Sequence, residues 1–342
     1  PLIIGVIFIH AYSSEADLSS ETVGIASTSF KVLLIKNLIS QGIARISVPL
    51  FFLISGYLFF KGYAASYENY KSKLRSRIKT LLIPYLFWNI FILLALALAQ
   101  HLPMTKVYFS ANRNPIASYG IFEYLNAILG ITWFPIAYQF WFIRDLMIMT
   151  ILAPIISICL RTFPTFILGT LSLLWFFNLW PIYTPSIVAC AFFFAGAYIA
   201  NKRISLFYFD QYGLIILITY ILTLFFDVST KTFTYNPYIH NIGIVLGIVS
   251  VLYISRYLVK QYKMKKLLLW ASTFSFFVFA AHEPMLTVLR KILIKAYQPT
   301  SDIEILGLYF IIPTIVITAS ILIYLGIKPI APRFLKVVTG GR

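Results

Sequence analysis

The chain has 342 residues, of which 60% are hydrophobic and only 11% are charged, and its mean hydropathy is +0.86. A soluble domain of this length would expose far more charge, so the composition excludes a soluble globular protein and predicts a polytopic, all-α integral membrane protein. The formal net charge of +17 comes from basic residues at the edges of apolar segments, where they set membrane topology, and we do not expect nucleic-acid binding.

A helix needs roughly 20 apolar residues to cross the hydrocarbon core of a bilayer. Applied in chain order, this rule predicts a bundle of about ten transmembrane helices in a single domain, residues 1–342. The predicted spans are 1–12, 43–60, 80–100, 137–160, 164–181, 185–200, 212–227, 238–258, 271–293 and 305–327. The first begins in apolar residues without a basic region or a cleavage site, so we interpret it as a truncated first span and not as a signal peptide.

The connecting segments predict the topology. With the N-terminus inside, about twice as many basic residues fall in the inner loops as in the outer loops, which favours cytoplasmic positions for both termini. Two predicted outer loops are long, 13–42 and 101–136. The second is rich in aromatic residues and is interpreted either as a simple connection or as a short amphipathic or re-entrant element.

The second span contains "VPLFFLISGYLFF", residues 48–60. Pro49 stands in the first turn of this span, where its missing N–H would be unpaired in any case. Ser55 and Gly56 lie in mid-membrane. Their small side chains permit close packing against a neighbouring helix, and direct contact of Ser55 with a substrate is the alternative.

Ionisable groups inside apolar spans are costly and therefore mark candidate sites. His10 ends the first apolar run and is either an interfacial histidine bound by water or a general base in the outer half of the membrane. His282 falls about eleven residues into the ninth span and is followed by Glu283. This histidine is either catalytic or a buried packing residue.

The fourth span carries Trp141, Arg144 and Asp145 within "QFWFIRDLM". Adjacent side chains leave a helix about 100° apart, so Arg144 and Asp145 need not pair with each other. Either each pairs with another helix, or Arg144 holds an anionic or carbonyl group of a substrate. Arg45, near the start of the second span, is a further candidate.

A basic run, "YKSKLRSRIKTLLIPYLFW", covers residues 70–88. It is explained by topology alone, or Arg75, Arg77 and Lys79 form a cytoplasmic cradle for a polyphosphate such as that of coenzyme A. Motifs for a nucleophile elbow, a phosphate-binding loop or a metal centre are not found in the sequence, so no metal is expected.

Five segments in order carry a resemblance to a known family. They are "IFIHAY", "SVPLFFLISGYLFF", "RIKTLLIPYLFW", "FWFIRDLMIMTILAPI" and "FSFFVFAAHEPML". This series resembles the membrane-bound acyltransferase family 3, bacterial enzymes that O-acylate surface glycans. The resemblance implies about ten transmembrane helices, transfer of an acyl group, often acetyl from acetyl-CoA, and a role for His10 as the histidine required for activity. The family's arginine about eleven positions before that histidine would fall before residue 1.

The sequence therefore predicts an O-acyltransferase in the bacterial cytoplasmic membrane that moves an acyl group from acyl-CoA to a cell-surface polysaccharide or lipid-linked sugar. The expected sites form three sets: catalytic His10, Arg144, Asp145 and His282; cofactor-binding Arg75, Arg77 and Lys79; substrate-binding Arg45, Ser55, Trp141 and Glu283. His10 lies far from a cytoplasmic donor, so either the thioester arm reaches in from below or the acyl group is passed across.

Two other functions fit the same residues. A proton-coupled transporter or flippase would also need buried His, Arg and Asp side chains, although the sequence has no clear inverted repeat. A non-catalytic membrane sensor is the third hypothesis.

Overall fold

The computed structural model describes residues 2–12, 29–63, 66–102 and 114–341, and these residues form helices joined by turns and short loops. The helices are α1 (Leu2–Ala11), α2 (Phe30–Phe60), α3 (Tyr67–His101), α4 (Ile121–Leu129), α5 (Trp141–Ile151), α6 (Ala153–Thr162), α7 (Pro164–Phe176), α8 (Ile187–Asn201), α9 (Gly213–Ser229), α10 (Asn236–Lys260), α11 (Tyr262–Ser272), α12 (Ser275–Tyr297), α13 (Asp302–Ile330) and α14 (Pro332–Val338). The prediction of an all-α fold is confirmed for the described part of the chain.

Five helices of the described chain are long and apolar enough to cross a membrane, and two bent pairs raise this number to seven. The long helices are α2, α3, α9 with its preceding turn, α10 and α13; the pairs are α5–α6, bent by 61°, and α11–α12, bent by 56°. The shorter apolar helices α1, α7 and α8 cover the remaining predicted spans. The chain is a multi-pass helical membrane protein, while ten crossings, cytoplasmic termini and a single domain over 1–342 stay predictions.

Two predicted boundaries are wrong because polar residues continue the helices. The loop predicted at 13–42 is helical from Phe30 onward, since polar side chains of α2 bond to α1 and to the residue that follows it. The Tyr12 hydroxyl donates to Asn37 Oδ1 at 2.7 Å, and Ser40 Oγ donates to the Phe8 carbonyl oxygen at 2.5 Å. Similarly, α3 begins at Tyr67 and not near residue 80. Residues 13–28 lie outside the described part of the chain.

Within the predicted loop 101–136, the described residues include a 3₁₀ turn (Ile116–Ser118) and one short α-helix, α4. The carboxylate of Glu123 accepts the backbone N–H of Gly120 at 2.6 Å and so caps its start. At its end Gly130 adopts a left-handed conformation with φ of 65°. The presence of α4 favours the interpretation of this loop as a short amphipathic or re-entrant element over a simple connection, and residues 103–113 of the loop lie outside the described part.

The closest helix packing joins α2 and α8. A methyl group at Gly56 would lie 2.0 Å from the Phe193 carbonyl oxygen, and one at Gly196 would lie 1.9 Å from the Leu53 carbonyl oxygen. Only glycine permits backbones to approach this closely. The structure therefore supports the packing interpretation for Gly56, while the role of Ser55 stays a prediction.

Helix α1 is enclosed by three other helices, α2, α12 and α13. Gly5 brings α1 against α2, where an added methyl group would lie 2.5 Å from Ser47 Oγ. Phe8 packs on Tyr309 of α13 with ring centroids 5.5 Å apart. This packing fixes the last turn of α1, which carries His10, against residues of the ninth and tenth predicted spans.

Candidate active site

The candidate site centres on His10, in the last turn of α1. His10 Nδ1 lies 3.0 Å from the hydroxyl oxygen of Tyr138, which stands in the short helical turn before α5. On its other side, the ring of His282 from α12 lies 5.3 Å away, centroid to centroid. Tyr138 is 37% exposed, so the cluster opens toward the surroundings on the tyrosine side.

The hydrogen-bond order around Tyr138 assigns the proton on His10. The Tyr138 hydroxyl also donates a short hydrogen bond to Glu283 Oε1, and Thr287 Oγ1 donates to Glu283 Oε2 at 2.7 Å. An ionised carboxylate only accepts, and a phenol has one proton to give. With Glu283 ionised, the Tyr138 oxygen accepts from Nδ1–H of His10, and a neutral His10 then keeps its lone pair on Nε2.

His282 presents an unpaired nitrogen beside His10. Its Nδ1 lies 2.6 Å from the Phe279 carbonyl oxygen, which fixes the proton on that nitrogen. The ring is fully buried, and its Nε2 has no hydrogen-bond partner among the described residues. Because a buried acceptor without a partner is costly, a ligand group that donates a hydrogen bond would be favoured here.

Two arginines add positive charge to the cluster. Arg290 Nη1 donates to the His10 carbonyl oxygen at 3.4 Å, and the Arg45 Nε–H donates to Gln41 Oε1 at 2.9 Å. The charges of both guanidinium groups act on His10. Together they favour a negative charge that develops near this ring.

The turn that carries Tyr138 is held by two buried amides. Asn89 Oδ1 accepts the Ala137 N–H at 3.1 Å, and Gln139 Nε2 donates to the Ala280 carbonyl at 3.1 Å. Both amide side chains are almost fully buried. The position of the Tyr138 hydroxyl is therefore fixed from α3 and from α12.

Two residues of this cluster were not predicted from the sequence. Arg290 falls near the end of the predicted span 271–293, and Tyr138 falls at the start of the predicted span 137–160. The spacing of Glu283, Thr287 and Arg290, at i, i+4 and i+7, puts these side chains on one helix face. That spacing is the signal by which Arg290 could have been found.

Arg144 and Asp145 pair with each other in a separate buried cluster. The guanidinium of Arg144 contacts Asp145 Oδ1 at 3.0 Å, and its Nη1 donates to the carbonyl oxygens of Gly130 at 2.7 Å and Trp133 at 2.8 Å. Asp145 Oδ2 accepts the Ser186 N–H at 2.8 Å. Pairing between the two residues differs from the expectation of separate partners, and arises because both side chains face the same pair of loops.

Two other predicted substrate residues are not brought into contact with His10. Ser55 is half-buried and precedes Gly56 in α2, and Trp141 packs on Phe52 with ring centroids 6.2 Å apart. Within the described chain, neither side chain is hydrogen-bonded to His10, and the Trp141 ring does not pack against it. Their roles in substrate binding stay predictions.

The basic residues Arg75, Arg77 and Lys79 lie on the extension of α3, at the other end of α2 from His10. Lys73 in this segment donates to the Phe59 carbonyl oxygen, and its Nζ lies 4.9 Å from the Phe59 ring centroid. Arg75 and Lys79 are exposed and Arg77 is half-buried. At 1.5 Å per residue, the fourteen residues from Arg45 to Phe59 separate the two regions by about 21 Å.

Within the described residues, no cluster of three or more His, Cys, Asp or Glu side chains has the arrangement of a metal site.

Comparison with known proteins adds three findings. Residues 2–325 match the model of the family described as acyltransferase domain. Over 356 aligned residues the chain is 23% identical to the succinoglycan biosynthesis protein ExoH of Rhizobium meliloti (strain 1021), and the match covers 100% of this chain and 90% of that protein. No solved structure matches the chain significantly.

Proposed function

The chain belongs to the acyltransferase domain family, and from this premise we propose that it moves an acyl group, acetyl in the first instance, from acyl-CoA to a hydroxyl of a polysaccharide or lipid-linked sugar in the bacterial cytoplasmic membrane. The glycan acceptor is suggested by the relative named for succinoglycan biosynthesis. The observation that carries the proposal is the hydrogen-bonded series Thr287, Glu283, Tyr138 and His10.

This series suits His10 for general-base catalysis. Its Nε2 accepts the proton of the acceptor hydroxyl while that oxygen attacks the thioester carbonyl carbon. The carbon–sulfur bond then breaks, and the thiolate takes the proton back from Nε2. The negative charge of Glu283, passed through the Tyr138 hydroxyl, stabilises the imidazolium that forms between these steps, as a carboxylate does in a Ser-His-Asp triad.

The remaining charged groups have complementary roles in the proposal. Arg45 and Arg290 stabilise the oxyanion that develops on the thioester carbonyl, because their charges already act on His10. The unpaired Nε2 of His282 accepts a hydrogen bond from a second hydroxyl of the acceptor, which orients the sugar. Arg144 has neither role, because its guanidinium group is engaged by Asp145 and by the carbonyl oxygens of Gly130 and Trp133.

The donor enters from the side of the basic α3 extension. Arg75, Arg77 and Lys79 bind the phosphates of coenzyme A there, and the pantetheine arm extends through the bundle toward His10. This arrangement requires the arm to cover much of the separation of about 21 Å between the two regions.

The direct test is the His10→Ala variant, with acyl transfer to surface glycan measured in membranes that contain equal amounts of correctly inserted protein. We expect transfer to fall by at least about a hundredfold, the low end of what a general base contributes. As a matched control, His101→Ala changes an exposed histidine at the end of α3 and should leave transfer unchanged. Wild-type transfer by His10→Ala would exclude the proposed base.

A proton-coupled transporter or flippase is the second candidate, favoured by the two facing histidines inside the bundle. Thermal unfolding with acetyl-CoA separates the two functions. A donor present at 100 times its Kd stabilises the folded protein by about 2.7 kcal/mol. Stabilisation by acetyl-CoA favours the enzyme, whereas substrate flux across vesicles without acyl transfer favours the transporter; a sensor would give neither result.

A further inference from the structure

An exposed aromatic pair joins the loop before Tyr138 to the loop before α8, and the steps proposed above do not use it. The rings of Trp133 and Tyr183 are stacked with centroids 4.8 Å apart and an angle of 4° between their planes. Trp133 is 61% exposed and Tyr183 is 39% exposed. Phe134 packs edge-on against both rings. We call Trp133, Phe134 and Tyr183 the aromatic platform.

The platform is assembled from two loops that are far apart in sequence, and the buried Arg144–Asp145 pair connects them. Arg144 donates to the Trp133 carbonyl oxygen at 2.8 Å, and Asp145 accepts the Ser186 N–H at 2.8 Å. Tyr183 precedes Ser186 by three residues, and its ring centroid lies 6.0 Å from the Arg144 guanidinium carbon. The Arg144–Asp145 ion pair therefore fixes the position of the Tyr183 ring relative to the Trp133 ring.

The first loop is also held by its backbone conformation. Gly130 has φ of 65°, and a methyl group there would lie 2.8 Å from Pro135 Cδ and 3.0 Å from Arg144 Nη1. Thr132 N–H donates to Asn126 Oδ1 at 2.9 Å. These contacts leave little freedom for the exposed indole at position 133.

This construction separates the platform from an ordinary interfacial aromatic belt. Tryptophan and tyrosine anchor a protein at the lipid interface through their amphipathic rings, and that role needs no fixed stacking. Burying an Arg–Asp pair carries a desolvation cost, and such pairs are retained in some proteins for conformational specificity. Here the Arg144–Asp145 pair holds the stacked rings of Trp133 and Tyr183 in one fixed orientation.

We propose that the aromatic platform is the acceptor subsite of the enzyme and stacks a pyranose ring of the glycan, an inference that rests on the proposed function. The axial C–H groups of a pyranose carry partial positive charge and match the negative face of an aromatic ring. Trp133 and Tyr138 are separated by five residues, so their Cα atoms are at most about 18 Å apart. One short oligosaccharide reaches from the platform to His10.

The test uses acyl-CoA as donor and, as acceptor, short oligosaccharides released from the surface polysaccharide of the cell that makes the protein. Trp133→Leu keeps an apolar side chain but removes the aromatic face. We expect the KM for oligosaccharide to rise about tenfold, with kcat and the KM for acyl-CoA nearly unchanged. Trp133→Phe should give a smaller rise, because it keeps a ring.

Tyr208→Leu is the matched control, since Tyr208 is 61% exposed but lies at the turn before α9, among residues without a proposed role. It should leave every kinetic constant unchanged. An unchanged KM for oligosaccharide in both Trp133→Leu and Tyr183→Leu, or a loss of membrane-inserted protein equal to the loss of activity, would overturn the acceptor subsite. If the wild-type protein acylates none of these oligosaccharides, the proposed function fails instead, and the subsite fails with it.

Discussion

At the scale of single residues, Tyr138 makes the sharpest prediction. Tyr138→Phe removes only the hydroxyl that connects His10 to Glu283, so His10 loses the bond that fixes its proton on Nδ1. We expect kcat to fall by roughly tenfold to a hundredfold while the KM for acyl-CoA stays close to the wild-type value, because the loss affects proton transfer and not donor binding.

The conservative change Tyr208→Phe serves as its control, since the Tyr208 hydroxyl has no assigned role. Steady-state transfer in detergent-purified protein measures both constants. A wild-type kcat in Tyr138→Phe would show that the Glu283–Tyr138–His10 series does not contribute to catalysis.

The same residues show what the sequence can reveal about a membrane site. His10, His282 and Glu283 could be named because an ionisable group in an apolar helix is rare. Tyr138 could not, because it is one of 23 tyrosines and gains its role only through the turn that aligns it with α1. Arg290 was overlooked because a basic residue near the end of a span resembles a topology signal.

At the scale of helices, the prediction concerns the contact between α2 and α8. Gly56→Ala would place a methyl group 2.0 Å from the Phe193 carbonyl oxygen, and this backbone atom cannot rotate away. The helices must separate, so we expect a loss of about 1–3 kcal/mol in stability, typical of overpacking. Thermal unfolding in detergent measures the change.

Gly326→Ala is the matched control for that experiment, because a methyl group at this position of α13 would contact nothing within 4 Å. It should be neutral or slightly stabilising, since alanine favours a helix more than glycine does. Equal stability of the two variants would contradict the close packing of α2 on α8.

Helix location was predictable from hydropathy, whereas helix boundaries were not. The apolar runs that predict the spans all lie in helices or bent pairs, because the bilayer forces backbone groups to bond within the segment. The predicted start of α2 is too late because Asn37 and Ser40 are residue types typical of loops. Their place in a helix is explained by two hydrogen bonds, between Asn37 and Tyr12 and between Ser40 and the Phe8 carbonyl oxygen. The bends of 61° in α5–α6 and 56° in α11–α12 also depend on tertiary packing, which hydropathy averaged along the sequence does not contain.

At the scale of the whole molecule, the proposed enzyme binds its two substrates at opposite ends of one bundle. His10 lies near one end of α2, and the α3 extension with its exposed Arg75 lies at the other. If one donor molecule spans this separation, its binding should depend on Arg75 and Arg77, which lie far from the reacting thioester carbonyl. When such a remote contact stabilises the ground state and the transition state equally, it lowers KM and leaves kcat unchanged.

The double variant Arg75→Gln, Arg77→Gln tests this arrangement. We expect the KM for acetyl-CoA to rise about tenfold, because each lost phosphate contact to a charged group contributes roughly 1.5–3 kcal/mol at most and solvent exposure lowers that value. The kcat at saturating acetyl-CoA should change little. Lys263→Gln, Lys265→Gln removes the same charge from an exposed segment of α11 and should leave the KM for acetyl-CoA unaltered. Equal KM values in the two double variants would assign Arg75 and Arg77 to topology alone, and the donor would then have to enter elsewhere in the bundle.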